Sequence, residues 1–553
     1  MCGISVIYIN NTNSYYDDNN KLRKEILKMN KTLNHRGPDY SGCKIIPNKV
    51  GIGHTRLAIV GVHDGAQPLV NDDGTIILSV NGEIYNYKEL KKEFTDYNFK
   101  TESDCEVIIP LYLKYDHEFI NKLDGMFSFI LYDTNKDILL IVRDHMGITS
   151  LYYGYTFDGA FAVASEMKAL VDICIYINTF QPGYMYYKNQ FIQWYKPKWI
   201  NKDYIPVENV CLQYLKNQFE KAVKKRMMTE VPYGLFLSGG LDSSLVASIV
   251  ARNSKEQINT FSIGIEGSHD LKSAQIVAKF LNTKHHSFTY TIQEGIDALE
   301  DIIYHLETYD VTTIRSSIPM YILSKKIKAM GFKMVLSGEG SDEEFGGYLY
   351  FHKAPNKTEF HQETIDKLLL LHKYDCLRAN KATAAIGLET RVPFLDKCFL
   401  NYVMSINPIN KMIHKECKSI EKYILRKAFD NKENPYLPDE ILWRRKEQFS
   451  DGVSSNEINW IKKLGEYANE HITYTQMKLA HLMYEYNTPL TKEAFLYRTI
   501  FTKYFPTENM AKTVHQCETI ACSTERAMSW DPEFLNNVDP SGSYLRNLID
   551  NNN

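Results

Sequence analysis

Apolar and polar positions divide the chain into two kinds of pattern. Up to about residue 190, short apolar runs are separated by turns rich in Gly, Asn and Asp, as at 5–9, 76–80 and 138–142, and this pattern predicts strands. A strand with a charged start is expected over 56–60, a glycine turn over 81–86, and a helix over 107–115 capped by Ser103 or Asp104. Segments 124–129, 143–148 and 164–170 read as strands and turns of a compact layered domain, with His145 a satisfied polar residue near a turn. From 193 to 207, Trp194, Pro197, Trp199 and Pro206 interrupt any period, so a domain boundary is expected near residue 200.

Beyond that point strands alternate with helices. Leu212, Leu215, Phe219, Val223 and Met227 share one helical face, predicted to lie against a sheet that begins at Tyr233. A strand over 233–237 leads through Ser238-Gly239-Gly240-Leu241-Asp242-Ser243-Ser244 into a helix, with Ser243 or Ser244 near its cap. Further strands are expected over 260–265, near 287–291 and over 332–336, and Leu271, Ala274, Ala278 and Leu281 align on a helix between the first two. Such alternation predicts a parallel sheet with helices on both faces. Ligands then bind beyond the carboxyl ends of the strands, where Ser238 and Gly264 fall.

Length and composition narrow the class. A chain of 553 residues predicts two or three domains, and 44% hydrophobic with 24% charged residues describes an ordinary globular protein. A net charge of −3 and a pI near 6.6 give no reason to expect nucleic acid as a partner. The apolar runs fall far short of the ~20 residues of a membrane span, and the N-terminus lacks a basic region before its apolar run, so neither a membrane partner nor a signal peptide is expected. The ten cysteines include no Cys-x-x-Cys, and Cys517 and Cys522 have no second pair nearby, which argues against zinc and for a reducing, cytoplasmic compartment.

Candidate chemistry lies in two places. The loop 238–244 offers adjacent glycines, serine hydroxyls and a helix N-terminus, a combination suited to phosphate or pyrophosphate, with Asp242 able to hold an accompanying magnesium ion. No Gly-Lys-Ser/Thr follows, so it is not a Walker loop. A second strand-to-glycine junction, Ser337-Gly338-Glu339-Gly340-Ser341-Asp342-Glu343, is rich in acids, which makes Asp342 the second metal candidate. At the other end, removal of Met1 would leave Cys2 with a thiol and a free α-amine, nucleophile and base in one residue. Taken singly, Arg56, Asn81 and Asp104 have ordinary structural explanations as a surface ion pair, a turn residue and a cap.

Taken together, Cys2, Asn34-His35-Arg36-Gly37-Pro38-Asp39, Arg56, Asn81-Gly82-Glu83 and Ser103-Asp104 resemble the glutaminase domain of the N-terminal-nucleophile amidotransferases. The resemblance implies that Cys2 attacks the glutamine carboxamide, that Arg56 binds the α-carboxylate and Asp104 the α-ammonium, and that Asn81 and Gly82 form an oxyanion hole. Leu57, Ala58, Ile59, Val60 and Glu83 complete the implied glutamine pocket. The loop 238–244 resembles that of the ATP pyrophosphatases which adenylate a substrate. This implies ATP at Leu237, Ser238, Gly239, Gly240, Asp242, Ser243, Ser244, Ile263, Ser337 and Gly338, magnesium at Asp242 and Asp342, and adenylation or amination roles for Glu339 and Lys446.

Segments 307–315, 389–396 and 446–452 are similar to those of asparagine synthetases, and with both halves in order the chain is identified as a member of the glutamine-hydrolysing asparagine synthetases of the bacterial B type. The implied architecture is an α+β, αββα sandwich over 2–190, a linker over 191–208, a doubly wound α/β domain over 209–505 and a polar tail over 506–553, frayed at Asn551 to Asn553. Implied substrates are glutamine, aspartate and ATP, and a homodimer is left open. Three departures from relatives stand out: Gly61 in place of an acid, an Asn-rich loop from Asn10 to Asn20, and Glu344 in place of an apolar residue. An amide-forming relative such as a β-lactam synthetase and a non-catalytic paralogue are the alternatives; the first characteristically lacks the nucleophile, and the second predicts loss of Cys2, Asp242 or Glu339.

Overall fold

A computed structural model describes residues 1–10, 14–413, 420–447, 449–455, 457–516 and 524–532. Gln448, Cys517, Cys522 and the end of the tail, including Asn551 to Asn553, lie outside the described residues.

Twelve strands build the N-terminal half: β1 Gly3–Tyr8, β2 Tyr40–Ile46, β3 Val50–Arg56, β4 Leu69–Val70, β5 Ile76–Ile84, β6 Gly125–Asp133, β7 Ile138–Arg143, β8 Tyr152–Thr156, β9 Phe161–Ala164, β10 Cys174–Thr179, β11 Tyr184–Tyr187 and β12 Gln190–Gln193. They form two six-stranded antiparallel sheets, ordered β10-β8-β9-β1-β3-β2 and β12-β11-β7-β6-β5-β4. Alternation along the strands explains the layering. In β1, Ile4, Val6 and Tyr8 meet Ile77, Ile130 and Ile141 of the facing sheet, whereas Ile7 points outward to Leu22, Ile26 and Met29 of the Asn19–Leu33 helix. The Ile108–Tyr115 helix covers the other outer face through Leu111 and Tyr112. The result is the αββα sandwich.

Two strand expectations and one helix-cap expectation are corrected. Strand β3 ends at Arg56, so 57–60 is a loop rather than a strand. Strand β5 continues through Asn81 and Gly82 to Ile84, because β6 supplies a partner for every residue from 76 to 84 and holds the Asn-Gly pair extended where a turn was expected. There Gly82 has φ +149°, and a Cβ would lie 2.0 Å from the Met126 carbonyl oxygen. The third concerns the helix after the glycine loop, whose N-cap is Gly240, with no side-chain cap.

In the C-terminal half, β13 Tyr233–Phe236, β14 Asn259–Gly264, β15 Lys284–Thr289, β16 Met334–Leu336 and β17 Glu389–Arg391 form one parallel sheet ordered β15-β14-β13-β16-β17. The order turns outward on either side of β13, so the crevice lies at its carboxyl end. The Leu212–Lys225 helix buries Leu215, Phe219 and Val223 as its period predicts, but packs on the Leu241–Asn253, Lys397–Ser405 and Tyr423–Phe429 helices rather than on the sheet.

The halves meet over an apolar contact in which Tyr85, Met126 and Met146 pack with Leu395 and Leu400. Around it, Arg391 Nη2 lies 3.0 Å from Glu83 Oε1 and Lys333 Nζ 2.7 Å from Asp39 Oδ2. No helix among the described residues is long and apolar enough to cross a membrane.

Candidate active sites

The start of β1 delivers Cys2 beside the end of β3 and the middle of β5. Gly3 pairs with Thr55, and the Cys2 N–H donates to Asn81 Oδ1 at 2.8 Å. Sγ lies 3.9 Å from the Leu57 carbonyl oxygen. Asn81 Nδ2 is buried and, among the described residues, has no hydrogen-bond partner. An unengaged buried amide donor is costly unless something arrives to accept from it, and beside a thiol that acceptor would be a developing oxyanion.

Burial pushes the Cys2 thiol above its ordinary value, opposed by the nearby terminal ammonium. That ammonium belongs to Met1, which donates to Glu389 Oε2 at 3.0 Å, so the Cys2 nitrogen is an amide while Met1 is attached. Arg36, read from sequence only as part of a turn, fixes the other side of Cys2. Its Nε donates to the Cys2 carbonyl at 2.8 Å and its Nη1 to Glu166 Oε1 at 2.7 Å.

The loop 57–60 wraps the Arg56 guanidinium, which donates to the carbonyls of Val60 at 3.2 Å, Gly61 and Val62 at 3.3 Å. Neutral carbonyls orient the group without cancelling its charge, so Gly61 in place of an acid preserves its attraction for a carboxylate. Asp104 Oδ2 accepts from the Ile84 N–H at 2.6 Å, and burial pushes its carboxyl up to about 6, opposed by that hydrogen bond. Ala58 is held by its N–H to Asp39 Oδ2 at 2.8 Å. The Glu83 carboxyl turns away from Cys2 to Arg391 at the interface between halves.

In the C-terminal half, an open cleft lies at the carboxyl ends of β13, β14 and β16. Leu237, Ser238, Gly240, Asp242, Ser243, Ile263, Ser337, Gly338, Glu339, Asp342 and Lys446 line it. Two residues of the glycine loop do not. Gly239, at φ +76°, turns toward the His269–Leu281 helix, where a Cβ would lie 2.4 Å from the Ala274 nitrogen, and Ser244 is fully buried. The Leu241–Asn253 helix lacks a side-chain cap, so its first N–H groups are available to an anion. Ser243 Oγ sits 3.1 Å from Ser238 Oγ, closing the loop on itself.

The two acids predicted to hold a metal converge on a lysine that no local pattern revealed. Lys422 Nζ is 2.7 Å from Asp242 Oδ2 and 2.7 Å from Asp342 Oδ1, and Lys446 Nζ is 2.6 Å from Asp342 Oδ2. Burial acts to raise the Asp342 carboxyl, but the two ammonium groups override it and hold it well below the usual carboxylate range. Burial likewise acts to lower Lys446, and Asp342 and Asp242 override it upward. Lys422 has φ 57°, a conformation costly for a lysine and the kind of strain retained where a side chain must be aimed. Its path needs Gly347, where a Cβ would fall 2.1 Å from Lys422 Cε and 2.2 Å from Asp342 Oδ1.

Glu339 Oε2 accepts from Arg378 Nη2 at 2.7 Å, and burial raises its carboxyl despite that partner. Glu344, on the short Ser341–Phe345 helix that follows, lies outside the cleft lining and is fully buried with its carboxyl pushed well up by burial. Lys411 Nζ donates to the Glu344 backbone carbonyl at 3.1 Å.

Comparison with known proteins agrees with this division. Residues 1–203 match the glutamine amidotransferase domain family, and residues 214–362 and 353–530 match the asparagine synthase family. A glutamine-hydrolyzing asparagine synthetase of Brassica oleracea is 51% identical over 98% of this chain and 93% of its own length. Asparagine synthetase 1 of Arabidopsis thaliana gives the same figures, and the enzyme of Asparagus officinalis is 51% identical over 98% of this chain and 92% of its own. The chain therefore belongs to the glutamine-hydrolysing asparagine synthetases.

Proposed function

We propose that one chain hydrolyses glutamine at Cys2 and uses the released ammonia to amidate aspartate in the cleft, at the expense of ATP. The observation that carries this reading is the pairing of two unlike sites: a thiol beside an unengaged amide donor in one half, and two carboxylates converging beside an uncapped glycine loop in the other. We take 2–190 as the glutaminase domain, 191–208 as a linker, 209–505 as the synthetase domain and 506–553 as a tail.

In the first site, removal of Met1 frees the Cys2 α-amine, whose reference pKa of roughly 7.7 to 8.0 suits it to take the thiol proton. Arg56 receives the substrate α-carboxylate and Asp104 its ammonium. The thiolate adds to the side-chain amide carbon while Asn81 Nδ2 and the Gly82 N–H donate hydrogen bonds to the oxyanion that forms. Ammonia leaves with the proton from the α-amine, and water then releases glutamate from the thioester.

In the second site, the aspartate side-chain carboxylate attacks the α-phosphorus of ATP and pyrophosphate departs. Adenylation is needed because a carboxylate is a poor electrophile, while AMP is a competent leaving group. Ammonia adds to the acyl-adenylate, AMP leaves, and Glu339, with its carboxyl raised by burial, takes the surplus proton. Lys446 and Lys422 place positive charge beside the phosphates. Asp242 and Asp342 suit magnesium, which is commonly held by one or two carboxylates together with substrate phosphates. When bound, the ion would neutralise phosphate charge.

Purified protein supplied with aspartate, ATP and magnesium is expected to form asparagine, AMP and pyrophosphate in equal amounts from either glutamine or ammonium. Pyrophosphate without asparagine would point to a different acceptor acid, and no ATP turnover would refute the reading.

A further inference from the structure

The loop between the Asp439–Leu442 and Phe449–Gly452 helices carries Arg444 onto the glycine loop. Nη1 of Arg444 donates to the Gly239 carbonyl at 3.1 Å, and Nη2 lies 3.4 Å from Asp270 Oδ1 and also contacts Glu447. We infer that Arg444 is a pyrophosphate-binding side chain and that Asp270 is the residue that positions it, an assignment that rests on the synthetase reading of the cleft.

Three features support the assignment. The first is that Gly239 cannot shift away, because it is pressed against the His269–Leu281 helix with its hypothetical Cβ 2.4 Å from Ala274. Its carbonyl is thus a fixed anchor, next to Gly240 and Ser243 where the loop lines the cleft.

The second is the placement of Asp270. It is 5% exposed, borders the cleft, and is backed by Gly452, where a Cβ would lie 2.3 Å from its Oδ2. A buried carboxylate facing a polyphosphate repels it unless a cation takes up the charge. Burial pushes the Asp270 carboxyl up to about 7, and Arg444 is the chief group opposing that rise.

The third is the division of cations. Lys422 and Lys446 are directed to Asp242 and Asp342, whereas Arg444 reaches the glycine of the loop that they do not. A guanidinium can keep its hold on a carbonyl and a carboxylate through some of its five donors and turn others to a phosphate oxygen, which an ammonium on a flexible stem does less well. As the α–β phosphate bond breaks, negative charge grows on the departing pyrophosphate, and a planar donor fork at the loop stabilises it.

Product inhibition of ammonium-dependent synthesis, measured separately for pyrophosphate and for AMP in the full chain, tests this. In Arg444→Ala the inhibition constant for pyrophosphate is expected to rise about tenfold to a hundredfold, the worth of a lost charge-assisted hydrogen bond, with that for AMP nearly unchanged. Arg444→Lys should lie between, and Asp270→Asn should shift the same constant in the same direction by less. Glutamine hydrolysis, which proceeds in the other half, reports that each variant is folded. If Arg444→Ala is too inactive to assay, equilibrium binding of pyrophosphate and of AMP replaces it. Equal shifts for both products, or none, would overturn the inference while leaving the synthetase reading intact, whereas wild-type protein that makes no asparagine would remove its basis.

Discussion

Cys2→Ala is expected to lower glutamine hydrolysis and glutamine-dependent asparagine formation by ~10³-fold or more, the scale seen when a nucleophile is removed. Ammonium-dependent formation should persist near the wild-type rate. The substitution deletes a single buried atom whose one hydrogen-bond contact among the described residues is a weak one to Leu57, so the fold should survive. The Cys2 N–H to Asn81 and the Arg36 contact to the Cys2 carbonyl both involve backbone and remain. Parallel assays with the two nitrogen donors check it, and equal loss with both would contradict the division of labour between the halves.

Asp342→Asn is expected to do the opposite, removing synthesis from either donor and sparing glutamine hydrolysis. Asp342 balances two ammonium groups on the half-buried wall of the cleft, the buried Lys422 at 2.7 Å and the partly exposed Lys446 at 2.6 Å. Removing one partner of a buried ion pair costs about 3 to 5 kcal/mol. If that penalty falls on the reacting geometry, it corresponds to roughly 10² to 5 × 10³ in rate. The proposed magnesium site would lose a ligand as well. Glutamate should continue to accumulate without asparagine, and retention of ammonium-dependent synthesis would exclude Asp342 from the adenylation site.

Local pattern revealed much of the architecture and failed where distant segments decide. Strand alternation in the first half and strand–helix alternation in the second predict the two sheets, because burial of one face imposes a period that a sequence carries openly. The Asn81-Gly82 pair misleads, since Asn-Gly ordinarily turns, and only the ladder from β6 keeps β5 running through it. Arg56 reads as a strand start although it is a strand end, because the loop that follows is as apolar as a strand and packs around the guanidinium.

The site was visible as far as its motifs extend. Cys2, Asn81 and Arg56 stand close together, and the glycine loop and the acidic loop share one cleft. Lys422, Arg444 and Asp270 had no such signal. Each is an ordinary charged residue in its own segment; the fold brings Lys422 to the glycine loop from 180 positions away and Arg444 from 205, and Arg444 meets Asp270 across 174. The left-handed backbone of Lys422 and the need for glycine at 347 are visible only in three dimensions.

The central claim is that nitrogen passes from glutamine at Cys2 to aspartate in the cleft of the same chain. It is tested most directly by supplying glutamine labelled with ¹⁵N at the side-chain amide, with aspartate and ATP-magnesium, and following the label by mass spectrometry. The account predicts labelled asparagine side-chain amide from the wild-type chain and none from Cys2→Ala, which should still make unlabelled asparagine when ammonium is added. Asparagine formed from glutamine by Cys2→Ala, or wild-type protein that releases labelled ammonia but never incorporates it, would contradict the account.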